Sequence, residues 1–127
     1  MKVVGMFREF APGDADGWPS IVDHLDGQPL SDVDQIVGYL DAGYVLFDML
    51  DTAKDVLGDE WIINGASVLT DGEWLWRKDL SYYLTRHHVR LPEAFLAYVR
   101  DNGYRVPEHD VATLRRYTEQ ARSLLYV

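Results

Sequence analysis

The sequence predicts an α+β fold: a small antiparallel or mixed sheet with a central hairpin, packed by mainly C-terminal helices. Three observations carry this. Two β-prone runs, 66–70 and 73–77, flank Asp71-Gly72, a pair that tolerates the positive φ of a two-residue hairpin loop. After Asp79, apolar residues recur at helical spacing in three successive segments. The 127 residues suit a single globular domain, 1–127, whose core needs no disulfide or metal.

The elements follow in order. Residues 2–7 are β-prone and form the first strand. Pro12, Gly13, Gly17, Pro19, Gly27 and Pro29 mark a loop region, inside which residues 20–25 make a short helix capped by Ser20. Ser31 caps the next helix, and Asp34 completes an approximate capping box. Val33, Ile36, Val37 and Leu40 form its apolar stripe, with Asp32, Asp34 and Asp41 on the other side. Gly43 supplies a left-handed stop. Tyr44-Val45-Leu46-Phe47 is a buried strand running to about Leu50, and residues 52–57 read as a strand or a helical turn, the helical turn being preferred.

In the hairpin, Leu69 is expected opposite Trp74, Val68 opposite Leu75 and Ser67 opposite Trp76. Alternation puts Val68 and Leu75 on one face and Leu69, Trp74 and Trp76 on the other. Both faces are apolar, so the hairpin is either covered on both sides or presents one side to a partner. Asp79 caps a helix whose stripe is Leu80, Tyr83, Leu84 and His87. Pro92 sits in the first turn of a second, with Phe95, Leu96 and Val99 inward and Asn102-Gly103 at its end. A last helix starts between Pro107 and Asp110 and turns Val111, Leu114, Tyr117, Ala121 and Leu124 or Leu125 inward.

Charge is unevenly spread. The net charge is −9, but residues 1–60 hold 13 acidic and 3 basic residues (−10), against 8 and 9 (+1) in residues 61–127. Such a balance argues against nucleic-acid and anionic-membrane partners and favours a basic protein. No apolar run is long enough to span a bilayer, and the N-terminus lacks the apolar region of a secretory signal, so a cytoplasmic location is expected. The absence of cysteine removes disulfides, thiolate metal sites and cysteine nucleophiles.

Chemical motifs are sparse. His87-His88 are adjacent, and on a helix their rings point about 100° apart, which suits a hydrogen-bonded structural histidine better than a shared metal. Asp71 and Glu73 are a carboxylate pair suited to acid–base work, although Asp71 already suits the turn. Asp14-Ala15-Asp16-Gly17 opens like a calcium loop but lacks its later ligands. Phosphate-binding glycine loops and a serine-nucleophile elbow are missing. Neither cofactor nor metal is expected. Trp61, Trp74, Trp76, Tyr82 and Tyr83 lie close together in sequence, as core or as interface.

Thr70-Asp71-Gly72-Glu73-Trp74-Leu75-Trp76-Arg77 and Asp79-Leu80-Ser81-Tyr82-Tyr83 resemble a group of small acidic bacterial proteins. The likeness extends through Leu91-Pro92-Glu93-Ala94-Phe95-Leu96 and back to Gly38-Tyr39-Leu40-Asp41-Ala42-Gly43. In size, charge and lack of catalytic motif such proteins are similar to immunity proteins of bacterial toxin systems. The resemblance implies a class of role and carries over no binding residues.

The leading expectation is therefore a non-enzymatic, acidic protein-binding module, an immunity protein neutralising a basic toxin. Asp23, Asp26, Asp32, Asp34 and Asp41 would contact the partner, helped by Trp74 and Trp76. Two alternatives stand beside it. One is a hydrolase using Asp71, Glu73 and His87 or His88, which requires them to converge on one cavity. The other is a homo-oligomeric structural protein that self-associates through Trp74 and Trp76.

Overall fold

The structure is a computed structural model, and it describes residues 1–10 and 17–125. Pro12, Gly13 and Asp14-Ala15-Asp16 lie outside the described residues. Strand β1 (Lys2–Val3) is followed by α1 (Val33–Asp41), β2 (Tyr44–Phe47), β3 (Thr52–Lys54), β4 (Trp61–Ile63), β5 (Val68–Thr70) and β6 (Trp74–Arg77). Helices α2 (Leu80–His87), α3 (Glu93–Asp101) and α4 (Val111–Leu125) complete the order. The fold is α+β. A mixed four-stranded sheet runs β1-β6-β5-β2, with only β1 and β6 parallel, and β3-β4 form a second, two-stranded sheet.

The sheet lies between two helical layers. Leu69, Trp74 and Trp76 face α1, α2 and α3, in one core with Ile36, Tyr39, Leu80, Tyr83, Phe95 and Val99. Val68 and Leu75 face α4, packing on Ala121 with Leu46, Phe47 and Leu125 around them. The hairpin is covered on both sides. The two faces are divided as alternation requires, but the pairing is not the expected one. Leu69 lies opposite Trp76, Thr70 opposite Leu75 and Val68 opposite Arg77. The expected register is displaced by two residues, which changes every partner and leaves every side chain on its own face.

The longer loop follows from Asp71. Its Oδ1 accepts from the amides of Glu73 (2.8 Å) and Trp74 (2.7 Å), and Thr70 Oγ1 accepts from Gly72 N and donates to Trp74 O. These bonds hold Trp74 inside the turn. Gly72 takes φ +100°, whereas Asp71 does not share the positive φ that a type I′ loop demands of both residues.

Other local expectations are corrected. The first strand ends at Val3, because Gly5 turns the chain at φ +68°, although Val4, Met6 and Phe7 are buried. Residues 20–25 form a 3-10 turn at Ile21–His24, with Ser20 Oγ accepting from Val22 N as expected of a cap. Asp32, not Ser31, occupies the cap of α1, and its carboxylate leaves the helix end for Arg100. Gly43 is no left-handed stop, since its φ is not positive. It is required by close packing: a Cβ there would lie 2.6 Å from Trp76 Cζ2 and 3.1 Å from Leu69 Cβ. Pro92 stands just before α3, as its cap. In α4, Val111 and Leu124 are exposed, and Ala121 is the buried centre of the helix.

Residues 52–57 contain a strand, not a helical turn. β3 pairs antiparallel with β4, Thr52 opposite Ile63 and Lys54 opposite Trp61. Phe47 lies opposite Val68, five residues before Thr52 on one strand and five after Ile63 on the other. The distal pair keeps the register of the Phe47–Val68 pair, beyond the bulge between Val45 and Phe47 and across the non-strand residues 48–51 and 64–67, so that β2-β3 with β4-β5 make one long kinked hairpin. The kink falls at Asn64, with φ 55°, where Met49 N donates to Ser67 Oγ and Asn64 N to Asp51 O.

Two carboxylates, half-buried Asp32 and buried Asp79, give the fold opposed pH limbs. Hydrogen bonds from Arg100 and Tyr104 hold Asp32 down at about 2, so its stabilisation is present above the ordinary aspartate range and lost as pH falls towards 2. Burial pushes Asp79 up to about 6 against the pull of Arg77, so its contribution is greatest at low pH and lost as pH rises through 6. For these two groups the limbs meet at the ordinary aspartate value, so thermal melts are expected to show their combined contribution greatest at roughly pH 4. Asp79→Asn should flatten the decline above that maximum; an unchanged slope would remove Asp79 as its source.

Candidate functional site

The five expected aspartates do not act as one free acidic patch. Asp26 accepts two hydrogen bonds from Arg90 Nη1, at 2.9 and 2.7 Å. Asp32 is bound by Arg100 from α3 and by Tyr104 Oη at 2.7 Å. Arginines from the second half thus neutralise two of the five, which sequence distance hides. Asp23 and Asp34 are exposed and, among the described residues, form no ion pair. Asp41 is exposed at the end of α1 and accepts from Ser81 Oγ at 2.9 Å.

The expected aromatic contacts are also displaced. Trp74 and Trp76 are 6% and 1% exposed, so neither offers a surface to a partner or to a second copy. Trp76 Nε1 donates to Leu40 O, and its ring packs against Tyr39 and Phe95.

The acid–base residues stay apart. Asp71 is fully buried, accepting from Tyr39 Oη at 2.6 Å and from the turn amides. Glu73 pairs at the surface with Lys2, His88 ends α2 in the left-handed conformation, and His87 turns towards Asp55. No carboxylate of the pair meets either imidazole, so they line no common cavity among the described residues. His87 Nε2 lies 2.7 Å from Asp55 Oδ2, which also accepts from Tyr82 Oη. An aspartate behind an imidazole can orient it as a general base. However, no side chain is hydrogen-bonded to the other ring nitrogen among the described residues. What the cluster does hold is the tip of the long hairpin. Asp55, Val56 and Leu57 are tied by His87, Tyr82, Tyr83 Oη and the Asp55 carboxylate itself. These hydrogen bonds keep the Asp55 carboxyl below its ordinary value against the opposing effect of burial. Asp55→Asn should speed amide exchange at residues 55–60 more than in α3, as read by hydrogen exchange; uniform acceleration would mean that this tie is not local.

The same hairpin carries the surface that sequence reasoning missed. Ala53 and Ile62 turn inward, which leaves Thr52, Lys54, Trp61 and Ile63 outside. Trp61 is 63% exposed, Ile63 74%, Leu50 82% and Val45 56%. Asp48, Asp51, Asp59 and Glu60 are exposed around them, and among the described residues none forms an ion pair. Between this hairpin and the facing ends of α1 and α2 lies an open cleft of about 320 Å³. Asp41, Val45, Asp48, Ile63, Lys78 and Ser81 are among its lining residues. The signal lay in Asp59-Glu60-Trp61-Ile62-Ile63, an apolar run entered from two acids, whose strand partner was read as helix.

Among the described residues, no group of side chains is arranged to hold a metal ion, and no helix is long and apolar enough to cross a membrane. No family model matches the chain, nor does any curated protein or solved structure.

Proposed function

We propose that this chain is a non-enzymatic protein-binding module that occludes a basic partner, in the manner of a toxin-immunity protein. The observation that carries the reading is the long hairpin, where Trp61, Ile63, Leu50 and Val45 stand exposed beside Asp48, Asp51 and Asp59, which form no ion pair among the described residues. A group of large apolar side chains on one outer face supports a recognition role, and tryptophan is among the residue types enriched as anchors of such contacts. Unpaired acids beside them attract a basic partner over distance and accelerate encounter, while the desolvated apolar contacts set how long it stays. The partner site accordingly lies on the hairpin and the cleft, with Asp41 as the one aspartate shared with the set expected from the sequence.

The test is quantitative binding to a basic protein recovered from the native host and then purified. Asp41→Asn combined with Asp48→Asn should slow association and flatten its salt dependence, with little change in dissociation. Association rates at low salt equal to those of the native chain would remove the cleft from the partner site.

A further inference from the structure

We infer that the partner's contact segment is an extended basic strand that adds to the outer edge of the long hairpin, along β2 and β3, with its cations turned into the cleft. This rests on the protein-binding reading and specifies its geometry.

Three observations converge on that edge. β2 ends the order of the four-stranded sheet, and β3 has β4 as its one neighbour among the described residues. One chain, from Tyr44 to Lys54, therefore forms the outer side of the hairpin through both sheets. Among the described residues, no backbone hydrogen bond reaches Tyr44, Val45 or Leu46 from beyond β5. Their outward amides and carbonyls are a template for an added strand, since an unpaired strand edge pairs readily with another extended chain. β1, at the opposite edge, is two residues long and offers much less.

The second observation is the cleft beside β2. Val45 and Asp48 line it, with Asp41 across from them and Ile63 at the distal end. Alternate residues of an added strand are about 6.8 Å apart and point to the same side, so successive side chains enter one volume. A lysine or arginine there meets Asp41 and Asp48, while its aliphatic stem lies on Val45 and Ile63. Lys78 also lines the cleft, and it leaves the acids in excess by one.

The opposite side of the edge lacks that acidic excess. α4 covers that face of the sheet, and Arg122, 5.5 Å from the Phe47 ring, is paired with Glu119 at 3.8 Å. Cations on that side of the added strand would meet an arginine already matched by its own acid, not a free carboxylate. The favoured segment therefore alternates, with basic residues towards the cleft and uncharged residues towards α4. A second copy of this chain is a poor occupant: pairing β2 with β2 would bring Asp41 and Asp48 of both copies together, in a chain already at −9. The bulge between Val45 and Phe47 further discourages a flat self-pairing.

The probe is an acetylated, amidated nine-residue peptide of alternating lysine and valine, compared with the same peptide N-methylated at alternate amides. N-methylation removes the strand hydrogen bonds from one edge and keeps the charge, and two such analogues cover both edges. Binding is followed by calorimetry at low salt, and amide protection along β2 by hydrogen exchange. The parent peptide should bind with steep salt dependence and protect β2 amides, and at least one N-methylated analogue should bind tenfold or more weakly. Equal binding of all three would overturn strand addition and leave the protein-binding proposal intact, because charge alone would then account for capture. No binding of any peptide would also overturn it, and the wider proposal would then stand or fall on the purified partner and the cleft variants. Concentration-dependent dimerisation in sedimentation, blocked by the peptide, would assign the edge to a second copy instead.

Discussion

Asp71→Ala is expected to be among the most damaging substitutions in the hairpin, costing about 3–5 kcal/mol, because it strands several buried donors at once. Asp71 is fully buried, and its two oxygens accept from Tyr39 Oη, Glu73 N and Trp74 N. Truncation leaves a phenol and two turn amides without acceptors and frees the turn that holds Trp74 in the core. Tyr39→Phe is the milder control, since it removes one of the three donors and should cost roughly 1–3 kcal/mol. Denaturant unfolding measures both. An Asp71→Ala protein as stable as Tyr39→Phe would mean that the turn amides find water, and that the carboxylate is not organising the loop.

The second large effect is a contrast between two tryptophans. Trp76→Ala should lower stability by about 3–5 kcal/mol, the usual cost of truncating a buried aromatic. It removes the ring between Tyr39 and Phe95 and leaves Leu40 O without its indole donor. Trp61→Ala should change stability by about 0.5 kcal/mol or less, because the side chain is mostly in solvent. In binding the order reverses. Trp61→Ala should speed dissociation of a basic partner about 30-fold, equivalent to a 2 kcal/mol hot spot. Melting curves and dissociation rates on the same two variants decide it. Full binding by Trp61→Ala would exclude the hairpin face as the anchor.

Much of this fold is legible in the sequence because local patterns carry it. Phe95, Leu96 and Val99 are inward in α3 because their spacing matches a helical turn, and Tyr104 N bonding to Val99 O closes that helix after Asn102-Gly103. The faces of the β5–β6 hairpin are legible for the same reason, since strand alternation survives a register error of two. Gly43 shows where local reading stops. A glycine after a helix suggests a turn conformation, and only the approach of Trp76 and Leu69 from distant segments shows that space is what it supplies. Thr52-Ala53-Lys54 reads ambiguously by itself and becomes a strand because β4 pairs with it.

The place of the free acids was not legible in the sequence. Acidic excess in the first sixty residues is a property of composition and says nothing of where those acids come to rest. Which acids remain free depends on what comes to rest beside them: Arg90 reaches Asp26 and Arg100 reaches Asp32, while Asp48 and Asp51 meet no cation among the described residues. The sequence by itself determined the α+β class, the helical stripes and the sign of the charge, because each depends on near neighbours or on totals. Tertiary structure alone decided that Trp76 is buried and Trp61 exposed. Burial and charge pairing are set by contacts between segments far apart in the chain, and no local pattern encodes them.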